Sequence, residues 1–184
     1  MKKTTLSLAL SAAAGLGLWA PAAQAFDGTI TFNGTVTAQT CEISGSSKDL
    51  AVELPTVSAS TLKSDAVAGQ TNFQISLSNC TPNSGQVRAY FEPGPNVDGT
   101  TYQLINTSTA SGAAMGVQIR ILNTELQQIK VGADQGEQDS PLFDIASDGT
   151  ANMTYLAGYI KESSAASIQP GAVTANVNYT VQYE

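Results

Sequence analysis

Fifteen carboxylates, eight cationic side chains and two cysteines carry the reactive groups of this 184-residue chain, which contains no histidine. A serine triad needs an imidazole base, so that chemistry is excluded. Paired carboxylates could serve glycoside hydrolysis, and the densest acidic stretch, "DQGEQDSPLFDIASD", offers Asp134, Glu137, Asp139, Asp144 and Asp148. The same stretch departs from the D-x-[DN]-x-[DN]-G pattern of a calcium loop. It reads as a solvated loop, and the chain as something other than an enzyme. Cys41 and Cys80 could in principle hold a metal, but neither has a CxxC neighbour and no imidazole is there to complete a zinc set. No metal or other cofactor is expected.

The chemistry of the two cysteines depends on the compartment. The chain begins "MKKTTLSLALSAAAGLGLWAPAAQA". Lys2 and Lys3 form a charged start, Leu6 to Trp19 an apolar run, and Ala23-Gln24-Ala25 a small-x-small cleavage site. This is the pattern of a secretory signal peptide, residues 1–25. The apolar run is shorter than the ~20 residues a spanning helix requires. Secretion favours a Cys41–Cys80 disulfide. Its closed loop of about forty residues is worth roughly 4 kcal/mol on the chain-entropy model. Loss of the leader leaves six basic against fifteen acidic residues, a net charge of −9. A surface this acidic excludes nucleic acid and anionic lipid as natural partners and favours solubility.

The elements between the cysteines and beyond them are strands. "NFQISLSN" places Phe73, Ile75 and Leu77 on one face. "QVRAYFE" does the same with Val87, Ala89 and Phe91, and "AMGVQIRIL" with Met115, Val117, Ile119 and Ile121. "ANMTYLAGYI" is apolar on both faces near its middle and reads as a central strand. Turn signals at 81–85, 93–99 and 147–149 separate these runs. Only "SASTLKSDAVAG" at 58–69 leaves room for a short helical turn. One all-β sandwich is expected.

Both ends of the mature chain are amphipathic strands. From Val173 to Tyr183 every odd position is apolar (Val173, Ala175, Val177, Tyr179, Val181, Tyr183) and every even one polar. Nothing follows to cover this strand's open side. In "FDGTITFNGTVTAQTC", Ile30, Phe32, Val36 and Ala38 share one face, with Gly34 among them. Asn33-Gly34 is a hairpin signal, yet a turn there would put Phe32 opposite Thr35 and mix the faces. An unbroken strand keeps one clean face, with Gly34 as a gap for close approach.

Taken together, these features resemble the type 1 chaperone–usher fimbrial pilins. They are the leader, the alternating "GTITFNGTVTAQTCEI", the cysteine pair with its second member in "ISLSNC", the glycine fourteenth from the end (Gly171) and the penultimate Tyr183. The resemblance implies an incomplete immunoglobulin-like sandwich, residues 41–184, that lacks its last strand. It implies a donor-strand extension, residues 26–40, that fills the same gap in a neighbouring subunit. Ile30, Phe32, Gly34, Val36 and Ala38 would form the donor face. Gly171, which lets the chain turn into the strand, and Val173, Val177, Tyr179, Val181 and Tyr183 would form the groove and chaperone-binding strand. The implied partners are further copies of the chain, a periplasmic pilus chaperone, an outer-membrane usher and other fimbrial subunits. The implied location is a fimbrium on the cell surface, reached through the periplasm, with a role in adhesion. The rival readings are a minor adaptor or tip subunit and a monomeric secreted immunoglobulin-like binding module.

Overall fold

A computed structural model describes residues 28, 30–34, 36 and 38–184. The signal-peptide residues 1–25 lie outside the described residues. The chain divides into two units, residues 1–35 and 36–184. In the first, the described residues form no strand, and neither Asn33 nor Gly34 has the positive φ that the tight hairpin turn would need. Ile30 and Phe32 are 79 % and 90 % exposed.

The second unit is all β apart from two 3-10 turns. The strands are β1 (Thr40–Ile43), β2 (Ala68–Thr81), β3 (Gln86–Phe91), β4 (Val97–Asp98), β5 (Gln103–Ile105), β6 (Val117–Leu122), β7 (Phe143–Asp144), β8 (Ala151–Lys161) and β9 (Tyr179–Tyr183). They form a six-stranded sheet in the order β1-β2-β8-β6-β5-β4 and a three-stranded sheet in the order β7-β3-β9. Every strand pair is antiparallel. The expected central strand, β8, does lie between β2 and β6, and the turn expected within 58–69 is the 3-10 turn Ala59–Thr61. Among the described residues no helix is long and apolar enough to cross a membrane.

Alternation builds the core. Ile75 and Leu77 of β2, Val87, Ala89 and Phe91 of β3, and Met153 and Tyr155 of β8 are all buried between the sheets. Phe91 and Phe143 each meet the Tyr155 ring edge-on, an arrangement that adds to simple burial. The Tyr155 hydroxyl accepts from the Ala89 amide at 3.1 Å and shares a hydrogen bond with the Ser140 hydroxyl at 2.9 Å. Buried Gln138 does for Phe91 what a strand would do. Its Nε2 donates to the Phe91 carbonyl at 2.6 Å and its Oε1 accepts from the Phe91 amide at 2.9 Å. Cys41 and Cys80 are disulfide-bonded, tying β1 to the end of β2.

One expected strand is shorter than its pattern. Met115 was expected on the apolar face with Val117, but it is 59 % exposed. Gly116 has φ +72°, which ends the alternation so that β6 starts at Val117.

A polar cluster holds the far end of the larger sheet. The Asp98 carboxylate accepts from Gln118 Nε2 at 3.0 Å and from the Thr100 and Thr101 amides at 2.9 and 3.2 Å. These bonds, with Gln118 foremost, lower its pKa to about 2. A depressed carboxylate stabilises the fold above its ordinary value of 3.8, and that contribution is lost as pH falls through about 2. Asp98→Asn is expected to cost about 1 kcal/mol at neutral pH, since the side chain is partly solvated. It should also flatten the loss of stability between pH 4 and pH 2. Denaturant unfolding of both chains at pH 7 and pH 3 checks this.

Candidate functional site

A groove of about 1020 Å³ opens into the sandwich. Its floor is apolar and comes from both sheets, with Phe73 and Ile75 of β2, Phe91 of β3, and Ile119 and Ile121 of β6. One wall is the segment Lys48–Leu54 and the other is Val173–Tyr179. The first wall escaped the sequence reading. Its signal was there, because Leu50, Val52 and Leu54 alternate with Ala51 and Glu53, and the three apolar residues are the partly buried ones.

The second wall is the start of the expected C-terminal strand. The expected alternation holds except at Gln182, which is partly buried too. Val173, Ala175, Val177, Tyr179, Val181 and Tyr183 are partly buried, and Thr174, Asn176, Asn178 and Thr180 exposed. The ladder does not extend as far. Only Tyr179–Tyr183 pairs with β3, because the chain beside residues 173–178 is loop rather than strand. Even residues other than Asn176 nevertheless bond through their backbone on that side. The Ala114 amide donates to Ala172, the Thr107 amide to Thr174 and the Glu92 amide to Asn178, and Glu184 exchanges both bonds with Gln86. Successive residues of an extended chain point these groups to opposite edges. The N–H and C=O groups of the odd residues, Val173 to Tyr183, therefore face the other edge. Among the described residues no backbone group bonds to them. An apolar floor beside a row of unpaired backbone groups is a template for one more strand.

Two tyrosines tie this wall to the start of the domain, Tyr179 at the groove's lower end and Tyr183 beyond it. The Tyr179 hydroxyl donates to the Ser47 carbonyl at 2.7 Å, and the Tyr183 hydroxyl accepts from the Cys41 amide at 3.0 Å. Burial pushes the Tyr179 phenol pKa up, and the nearby Asp49 carboxylate adds to it. Val173, Val177 and Tyr179 line the groove, as does Ala175, while Val181 and Tyr183 continue the same face past its end. Gly171 has an ordinary φ, so it does not act as a left-handed turn. It is there for close approach instead: a β-carbon would lie 2.6 Å from the Ala114 nitrogen and closer still to the Gly112 carbonyl. On the N-terminal segment, Val36 is 99 % exposed and Ala38 exposed, and Gly34 has open space where a β-carbon would stand.

The five carboxylates of the acidic stretch are all exposed. Asp139 pairs with Lys130 at 2.7 Å, Asp144 accepts from Gln86 Nε2 at 2.9 Å and Asp148 from the Thr150 amide at 3.0 Å. Asp134 and Glu137 share a second pocket with Pro93 and Tyr102, Asp144 belongs to β7, and Asp139 and Asp148 lie on the loops to either side, so the five do not meet at one site.

Comparison with known proteins agrees with this architecture. The family model described as type-1 fimbrial protein, A, matches residues 54–184. The chain is 44 % identical to the major fimbrial subunit SMF-1 of Stenotrophomonas maltophilia, over 88 % of this chain and 95 % of that one. It is 42 % identical to the F17 fimbrial protein of Escherichia coli over the whole of both. Among solved structures it resembles a subunit of a chaperone–usher pilus rod, with TM-score 0.59 and 25 % identity over 90 % of this chain and 100 % of that one. It also resembles the P pilus rod subunit PapA, with TM-score 0.58 and 25 % identity over 78 % and 99 %. The chain belongs to the type-1 fimbrial protein family, with the immunoglobulin-like pilin fold, and is a structural subunit of an extracellular fimbrial shaft.

Proposed function

We propose that the groove receives the N-terminal extension, residues 26–40, of a neighbouring copy, and that the fimbria grows by repeating this contact. The observation that carries the reading is the open backbone edge of Val173–Tyr183 beside an apolar floor. The dimensions agree. Val173 to Tyr179 spans six residue steps, ~20 Å of extended chain. Ile30 to Val36 spans the same six steps. Four inward positions of the wall thus meet four of the extension, Ile30, Phe32, Gly34 and Val36. Backbone bonds supply affinity and the alternating side chains supply register. Donor and groove are different surfaces, so the contact does not close on itself and builds a filament.

Before assembly the same edge needs cover. A periplasmic chaperone strand laid along Val173–Tyr183 would provide it, and an outer-membrane usher would exchange that strand for the extension of the next subunit. Other fimbrial subunits could use the same groove. The signal peptide delivers the chain to the periplasm, and the assembled shaft supports adhesion. The protein acts by assembly rather than catalysis.

The direct test uses the full chain carrying Phe32→Asp and a synthetic peptide of residues 26–38. The expected result is a complex that survives gel filtration and unfolds at a higher temperature than the chain without peptide. Peptide that elutes separately and leaves the unfolding temperature unchanged would refute the reading.

A further inference from the structure

The upper end of the groove wall is held chiefly by the side chain of Asn106. Asn106 spends its whole amide on it. Its Nδ2 donates to the Ala114 carbonyl at 2.8 Å and the Ala172 carbonyl at 3.1 Å, and its Oδ1 accepts from the Thr174 amide at 2.9 Å and the Ser108 amide at 3.1 Å. Thr107 completes the clamp, its amide and hydroxyl both donating to the Thr174 carbonyl, at 2.8 and 3.1 Å. Strand β5 ends at Ile105, and residues 172–174 are reached by an isolated bridge between Ala113 and Ala172 rather than by a strand. Asn106 takes the ladder's place.

We infer that Asn106 is the positioning residue of the groove: it fixes the rotation of residues 172–174 so that Val173 and Ala175 present their backbone groups to an incoming strand. Both backbone groups of Thr174 are consumed on the loop side. The alternation of an extended chain then leaves those of Val173 and Ala175 no direction but the groove. The residue type matters. An aspartate in the same place would set a carboxylate oxygen against two carbonyl oxygens and lose both donors. A serine or alanine would leave the Thr174 amide without its partner. Asn106-Thr107-Ser108 also spells a glycan acceptor, but a sugar on Nδ2 would displace one of these bonds. The inference rests on the strand-addition reading above, and its test separates the two.

The full chain with Phe32→Asp is compared with the same chain also carrying Asn106→Asp, each loaded with the synthetic peptide of residues 26–38. Loss of two donors is expected to speed peptide release roughly tenfold or more. Amide hydrogen exchange should quicken at residues 172–176 and not in β2 or β8. Asp98→Asn, whose side chain does not line the groove, serves as the control for general destabilisation. It should lower the unfolding temperature and leave peptide release unchanged. Equal release from the Asn106→Asp chain and its parent overturns the inference and leaves the strand-addition reading intact. Failure of the parent to retain peptide overturns both. Should Asn106→Asp not fold, Thr107→Val removes only the hydroxyl bond, and release no faster than the parent's overturns the clamp.

Discussion

A chain carrying Phe32→Asp is expected to fold, keep its disulfide and form no fibre. Phe32 is 90 % exposed in its own chain, so the substitution costs the subunit's own fold almost nothing. In the neighbour's groove the same position would meet an apolar floor. A buried phenylalanine there contributes roughly 1.5–3 kcal/mol. An unpaired carboxylate in its place costs several kcal/mol more, or must bind a proton to enter. The two effects together change the contact by more than three decades in equilibrium constant. Thr31→Ala, on the opposite face, should assemble normally. Electron microscopy of secreted material, with the heat resistance of polymers on denaturing gels, distinguishes the outcomes. Fibres of ordinary length from the Phe32→Asp chain would exclude the extension as the donor.

Removal of the last four residues, Val181–Glu184, is expected to abolish the folded subunit, and with it the chaperone complex proposed above. The segment pairs with Val87, Arg88 and Ala89 of β3. Val87 and Ala89 are fully buried, and the truncation strips their cover. It also removes the Arg88–Glu184 ion pair and the Tyr183–Cys41 bond that ties the end of the sandwich to the disulfide. Losing two large side chains from the core edge costs on the order of 5 kcal/mol, comparable to the whole stability of a small domain. Tyr183→Phe isolates one component. It loses only the bond from the Cys41 amide and should cost about 1 kcal/mol, with chaperone binding retained. Periplasmic abundance and co-purification with the chaperone measure both variants. Normal amounts of the truncated chain would show that β9 is dispensable for the fold.

The family and the all-β fold were legible in the residues because period-two patterning acts locally. Val173 to Tyr183 and Val87 to Phe91 announce their faces whatever surrounds them, and a secreted chain with a lone cysteine pair announces its disulfide. The face of each strand follows from its own side chains, and the structure keeps it for nearly all of them. Met115 is one exception, and it failed at a glycine whose positive φ is a property of the folded backbone. The groove itself could not be read in that way. An open edge is defined by what lies beside it, and the neighbours of the C-terminal strand come from residues 48–54, 86–92 and 106–114, far away in sequence. Alternation placed Val173 and Val177 on one face. Only the packing of these segments decided that residues 173–178 carry no ladder, that Gly171 makes room for the Gly112–Ala114 backbone, and that Asn106 stands where a strand would have been. The side chains of a strand declare which way they point, but its hydrogen-bonding edges look alike until tertiary structure covers one of them and leaves the other open.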